Sequence, residues 1–344
     1  MALSIRRRVT SALAATVLAA TPLVFHAGGA SASAGDRATS TVVVYDSFSK
    51  PGGYTLADYA GKWSNPYGLG EMALADTRHF AGSRFNVAAA PFRTAYDFSV
   101  FDHLKYIAIS TRAFPVPAAG AIEFSSVIKA STPGTQPGRV VTGTYTATGA
   151  PYAQPTLEGQ QAGAVMNVVD FATGQLFDWF VSGSTAFALI ERLPSSVTGN
   201  TSDPSSPDYV GREKMYTQII REVPVTPGVA HRVSIRFSRD AAGSAVDYFL
   251  DGTLVAHVDR VGVPLDVQGR PYTGIYPALG AGEDLGRKIN QLVLGHGLFS
   301  LLDAFPFQHP EAPELSVSIP VSERAFGQGA IASFDDFKVR TTTR

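Results

Sequence analysis

Hydrophobic and polar residues alternate along most of the chain in short runs rich in Val, Ile, Phe, Tyr and Thr, bounded by Gly, Pro, Ser or Asp. A period of two marks strands with one buried face, and the bounding residues mark turns. The pattern predicts strands near 41–48, 83–92, 104–111, 121–130, 138–146, 163–170, 175–181, 186–192, 215–223, 231–238, 245–250, 253–259, 291–296, 314–320 and 330–340. Helical periodicity is confined to Leu56 to Trp63, Glu283 to Leu292 and Phe299 to Phe305. Many short strands without long helices imply an all-β sandwich or barrel. The Ser- and Pro-rich segment Thr198 to Tyr209 lies within one apparent meander, so it reads as a loop inside a single domain spanning 41–344.

One meander can be followed residue by residue. If Phe171 to Gly174 and Ser182 to Thr185 each close a hairpin, Asn167 lies opposite Asp178 and Asp178 opposite Leu189. Alternation then puts Met166, Val168, Phe177, Trp179, Val181, Ala188, Ile190 and Arg192 on a core face. Asn167, Val169, Leu176, Asp178, Phe180, Phe187, Leu189 and Glu191 share the other face, which is expected to be open and concave, with rings stacking on sugars and acids bonding hydroxyls. Asp178 and Glu191 become diagonal neighbours with Cβ atoms roughly 7–8 Å apart, compatible with the carboxyl separations of roughly 5–9.5 Å that glycosidases use. Glu158, just before the first of these strands, either joins them as a third catalytic acid or belongs to a polar loop.

Outside this meander, composition narrows the options. Arg6 to Arg8, an uncharged stretch from Ser11 to Phe25 and two A-x-A sites ending at Ala32 and Ala34 predict a secretory signal over 1–34, with a disordered leader over 35–40. The chain is therefore expected to be secreted. It has no cysteine, which excludes disulfides, thiol catalysis, iron–sulfur clusters and Cys-ligated zinc. Net charge is −1, and −4 without the arginine-bearing leader. No basic cluster suits nucleic acid, no later run is long enough to span a membrane, and a monomer is expected.

Two motifs sharpen the fold. Val44-Tyr45-Asp46-Ser47-Phe48 opens the domain and Ser333-Phe334-Asp335-Asp336-Phe337-Lys338-Val339 closes it, while Tyr248-Phe249-Leu250-Asp251-Gly252-Thr253-Leu254-Val255 forms a late hairpin around an Asp-Gly turn. With these motifs the chain resembles the concanavalin A-like lectin and glucanase superfamily, and the resemblance implies a two-sheet jelly-roll β-sandwich. Where the retaining glucanases of that superfamily carry E-x-D-x-x-E, Asn167-Val168-Val169-Asp170 stands here. The stretches Lys62 to Gly70 (KWSNPYGLG) and His309 to Leu315 (HPEAPEL) look like a family of secreted bacterial proteins of unknown function.

Other candidates are more scattered. Trp63 and Tyr67, near Glu71, form either a sugar platform or, for Trp63, a core plug. His296 and His309 flank Asp303 and, with Glu311, make a candidate metal or acid–base cluster, or polar surface. Asp46, Asp335 and Asp336 would hold a structural Ca²⁺ if the terminal strands pair; otherwise they cap turns. No cofactor is implied, and neither H-E-x-x-H nor G-x-S-x-G occurs. The sequence thus predicts a secreted sandwich binding carbohydrate or a similar extracellular ligand on its concave face. Two alternatives remain: an enzyme on the same scaffold (glycoside hydrolase, lyase, or a cyclase or isomerase of a hydrophobic natural product), or an envelope protein whose segment Leu298 to Phe307 meets a partner.

Overall fold

A computed structural model describes residues 38–64, 78–94, 103–211, 214–261, 283–285, 289–304, 314 and 316–344. The signal region, Tyr67, Glu71, His309 and Glu311 lie outside them. The early strands are β1 (Thr39–Asp46), β2 (Trp63–Ser64), β3 (His79–Ala81), β4 (Arg84–Ala89), β5 (Leu104–Ser110), β6 (Phe114–Pro115) and β7 (Gly120–Ser131). The middle strands are β8 (Val140–Tyr145), β9 (Pro151–Pro155), β10 (Gly163–Asp170), β11 (Gln175–Val181), β12 (Thr185–Arg192), β13 (Tyr216–Pro224) and β14 (Ala230–Arg239). Last come β15 (Ser244–Leu250), β16 (Thr253–Val258), β17 (Arg260–Val261), β18 (Glu283–Asp284), β19 (Gln291–Phe299), β20 (Val317–Ser318) and β21 (Ala330–Thr343). Among the described residues five short helices interrupt them: α1 (Leu56–Lys62), α2 (Glu158–Gln161), α3 (Ser195–Thr198), α4 (Leu301–Ala304) and α5 (Val321–Arg324). None of the described helices is long and apolar enough to cross a membrane.

The first sheet runs β16-β15-β14-β7-β21-β4-β3, with β1 also paired to β21; the second runs β13-β12-β11-β10-β19-β5-β2, with β6 on β19. The chain passes between them repeatedly: β4 to β5, β5 to β7, β7 to β10, β13 to β14, β16 to β19 and β19 to β21. That winding makes a two-sheet jelly roll. The facing sides interlock through one core, where Trp179 meets Tyr248 edge-on at 6.0 Å and Phe177 meets Phe237 at 6.2 Å. Two hydrogen bonds also cross it, from Trp179 Nε1 to Ser234 O at 3.0 Å and from Tyr248 Oη to Leu189 O at 2.8 Å. Buried ring polar atoms need such partners, so each anchors its ring at one height between the sheets.

The first and last strands join the domain's two ends. Thr39 lies opposite Thr343 and the antiparallel ladder continues to Asp46 and Phe337. At that point β21 bulges, with Asp336 at φ 55°, and its earlier half takes β4 as neighbour instead of β1.

Two of the predicted elements change character. Glu283 to Leu292 contains no helix among its described residues: Glu283 and Asp284 pair with β17, and Gln291 opens β19. Leu285, Ile289 and Leu292 are all buried in the core, so a helical spacing arises here from an extended path. The strand expected near 314–320 is reduced to Val317–Ser318, which pairs with β8 alone.

Candidate functional site

The meander β10-β11-β12 fixes the acids. Asn167 faces Asp178, Asp178 faces Leu189, and Glu191 faces Leu176, so Asn167, Asp178 and Glu191 share the outer side of the second sheet. Asn167 Nδ2 donates to Asp178 Oδ1 at 2.8 Å, and Thr217 Oγ1 on β13 donates to Glu191 Oε1 at 2.9 Å. Burial and then the Glu191 charge raise the Asp178 carboxyl well above its ordinary range, against the Asn167 hydrogen bond. Burial likewise pushes Glu191 up to about 7, against the Thr217 hydrogen bond. Burial and mutual repulsion thus both favour the protonated form within this pair.

This face is not the open hollow expected from the alternation. Asp178 is 1% exposed, and Phe180, Phe187, Leu189, Met215, Phe299 and Leu301 belong to a second apolar cluster on the same side. Phe180 and Phe187 stack on each other at 4.6 Å and 12°, rather than presenting their faces outward. Helix α2 reinforces the cover: a Cβ on Gly159 would lie 2.5 Å from the Phe187 ring.

Glu158 is not part of the acid pair. Its carboxylate accepts from Ser184 N at 3.0 Å, from Ser184 Oγ, and from Thr132 Oγ1 at 2.6 Å, tying down the β11–β12 turn. That turn lies about 13 Å along the strand from Asp178. Burial works to raise the Glu158 carboxyl, but the Ser184 and Thr132 hydrogen bonds outweigh it and hold it below its ordinary value. A depressed folded value stabilises above the unfolded one and is lost as the pH falls. Glu158→Ala is expected to cost on the order of 2 kcal/mol in urea denaturation at neutral pH, and an unchanged midpoint would remove the anchor.

The remaining candidates are in the core. Trp63 is 3% exposed, its Nε1 donating to Asp46 Oδ2 at 2.8 Å, so it plugs the core instead of forming a platform. His296 lies in β19, the strand predicted over 291–296, and is neither polar surface nor part of an open cluster. It is wholly buried, and its Nε2 meets Tyr59 Oη at 2.8 Å while its ring packs edge-on against Trp63 at 4.6 Å. Burial lowers it to about 3, so the imidazole is neutral. Asp46 accepts from Tyr54 Oη at 2.6 Å, Trp63 Nε1, Phe48 N at 3.1 Å and Lys62 Nζ at 3.1 Å. Asp336 instead pairs with Arg232 at 2.6 Å and Lys338 at 2.7 Å, and Asp335 lies 4.0 Å from Arg84. The terminal strands do pair, yet the three aspartates are occupied by separate donors; among the described residues no three His, Cys, Asp or Glu side chains gather as a metal site.

An open cleft of about 760 Å³ lies elsewhere, on the outer side of the first sheet. Across neighbouring strands, Arg340 of β21 faces Glu123 of β7, Glu123 faces Arg236 of β14, Arg236 faces Asp247 of β15, and Asp247 faces His257 of β16. Asp247 anchors the row, bonding Arg236 Nη2 at 2.8 Å and His257 Nδ1 at 2.6 Å. Arg239, Asp259, Arg260, Thr342 and Arg344 extend the lining. Sequence reasoning located the β14–β15–β16 strands but did not follow their outward polar positions across the sheet. The signal was Arg236, Asp247 and His257 at outward parity on successive strands.

Residues 73–343 match the model of a family of unknown function, DUF6081. The chain belongs to that family. No curated protein matches this DUF6081 member in sequence. Among solved structures it is similar to an endo-1,3-β-glucanase from Streptomyces sioyaensis, at 12% identity and a TM-score of 0.37 over 89% of this chain and 96% of that one. It is also similar to an exolytic alginate lyase from Zobellia galactanivorans, at 9% identity and a TM-score of 0.37 over 80% and 91%. Against a sialidase the identity is 12% and the TM-score 0.34; 86% of this chain is covered but only 18% of the sialidase's length.

Proposed function

We propose that this DUF6081 protein is exported and binds a polysaccharide along the cleft of the first sheet. The observation that supports this reading is the in-register row Arg340, Glu123, Arg236, Asp247 and His257. It presents Arg340, Glu123, Arg236 and His257 to the cleft over the buried Asp247, on strands spaced about 4.8 Å apart, close to the length of one sugar ring. Ser238 and Thr342 add hydroxyls beside it, and Asp247 pins two of the side chains before any ligand arrives. Preorganised polar groups lose little freedom on binding, which favours recognition of hydroxyl-rich polymers.

A second reading, a hydrolase or lyase, is favoured by one observation, the placement of Asp178 and Glu191 on one side of neighbouring strands where burial raises both, because paired acids with raised values suit acid–base chemistry. It requires the apolar cover of that face to open. Affinity electrophoresis of the purified protein in gels containing plant and microbial polysaccharides tests both. Retardation by at least one polymer is expected, reduced in Arg236→Ala and unchanged in Asp178→Asn. Retardation by none ends the binding proposal. Reducing-sugar release that disappears in Asp178→Asn would transfer the function to the second sheet.

A further inference from the structure

The cleft holds unpaired positive charge at its β21 end. Arg236, Arg260, Arg340 and Arg344 line it with Glu123, Asp240 and Asp259, while the Arg239 guanidinium turns away to Ile289 O and Arg236 is paired with Asp247. All of these cations are arginines, whose planar guanidinium matches the two oxygens of a carboxylate or sulfate. Arg340 on β21 and Arg344 just beyond its end are exposed, both line the cleft, and neither forms an ion pair with any described residue. Arg236, by contrast, is held by Asp247 through both Nε at 3.1 Å and Nη2 at 2.8 Å, so its position is set by the protein itself. Glu123 stands in register between Arg340 and Arg236 without closing an ion pair on either. Two strand spacings separate those arginines, roughly 10 Å. An anion midway between them would meet the Glu123 carboxylate, whereas anions spaced to fall on either side would not.

We infer that the cleft selects an acidic polysaccharide, one whose carboxylate or sulfate groups recur at intervals that skip Glu123. This rests on the polysaccharide reading above and adds the chemistry of the ligand. Arg340 and Arg344 capture one anionic group, the Arg236 side of the cleft captures the next, and Glu123 discriminates against polymers charged at closer spacing.

The test is affinity electrophoresis and calorimetry of the purified protein with polygalacturonate, dextran sulfate, neutral dextran and duplex DNA. Binding is expected for one or both acidic polysaccharides, with affinity falling as salt is raised. The double variant Arg340→Ala/Arg344→Ala should bind roughly tenfold or more weakly, with an unchanged melting temperature because neither side chain is partnered. Glu123→Gln should tighten binding to the more densely charged dextran sulfate. Whichever acidic polymer binds identifies the anionic group. Dextran binding that equals the acidic polymers, with the double variant unaffected, overturns the anionic inference while leaving the polysaccharide function standing. DNA binding as tight as either acidic polysaccharide overturns it as a nonselective cationic patch. Failure of every polysaccharide overturns both.

Discussion

Asp46→Ala is expected to lower stability by about 3 kcal/mol or more, the cost of leaving buried donors without their acceptor. Asp46 is 1% exposed, and its two oxygens satisfy Trp63 Nε1, Tyr54 Oη and the Phe48 amide as well as Lys62. Trp63 cannot turn elsewhere, because its ring is wedged against His296 at 4.6 Å and Phe337 at 4.9 Å. Lys62 is different: its side chain is 41% exposed, so water can replace the lost carboxylate. The loss should therefore survive in a Lys62→Met background. Asp46→Asn keeps one acceptor for Trp63 and should cost less than half as much. Guanidinium denaturation of the three variants checks the ordering, and an alanine variant as stable as the parent would refute the anchoring role of this carboxylate.

The second large effect is a dependence of stability on pH that a single amide should flatten. Glu191 is raised by burial to about 7 and Asp178 well above its ordinary value by burial and by Glu191. A carboxyl whose folded value exceeds its unfolded one stabilises the fold below the unfolded value and loses that contribution as pH rises through the folded value. Stability should therefore fall between about pH 4 and pH 8. Glu191 alone accounts for a change on the order of 3 kcal/mol. Glu191→Gln removes the titration and also relieves Asp178 of its charged neighbour, so its melting temperature should exceed that of the parent at pH 8 and converge with it near pH 4. Parallel profiles for the two proteins would show that the pair does not control the trend.

Strand parity was legible in the sequence because hairpin loops of fixed length set the register. Asn167, Asp178 and Leu189 pair as the loop lengths require, and Met166, Phe177, Trp179 and Ile190 line the inter-sheet core. What alternation could not supply was the solvent state of the opposite side. Period two sorts residues into two sets; it does not say that one set is wet. The clue was composition, since Val169, Phe180, Phe187 and Leu189 make the supposedly open set nearly as apolar as the core set, as in strands covered on both faces. Strand β5, LKYIAIS, is likewise buried at every position.

The cleft was hidden for another reason. Its row joins Glu123, Arg236 and Arg340, residues brought together only by pairing strands far apart in the chain. His296 was rightly read as part of a strand, but its position at the strand's end did not show that the strand is buried there. Gly297 is required inside β19 because a Cβ there would lie 2.2 Å from Tyr106 O. The pairing of the end strands brings Asp46 beside the Asp335–Asp336 bulge, but Asp46 is occupied by Trp63 and Tyr54, and Asp336 by Arg232 of β14 and by Lys338 of its own strand.

The pairing of β1 with β21 also sets how the domain yields to force. Because Thr39 sits directly opposite Thr343, tension applied through these two positions loads the rungs of the ladder one at a time, like opening a zip, instead of sharing the load in shear. Peeling would proceed to the bulge at Asp336 and meet there the aromatic packing around Trp63 and Phe337. A domain pulled through Thr39 and Thr343 would thus shed one strand early and keep the sandwich closed behind it.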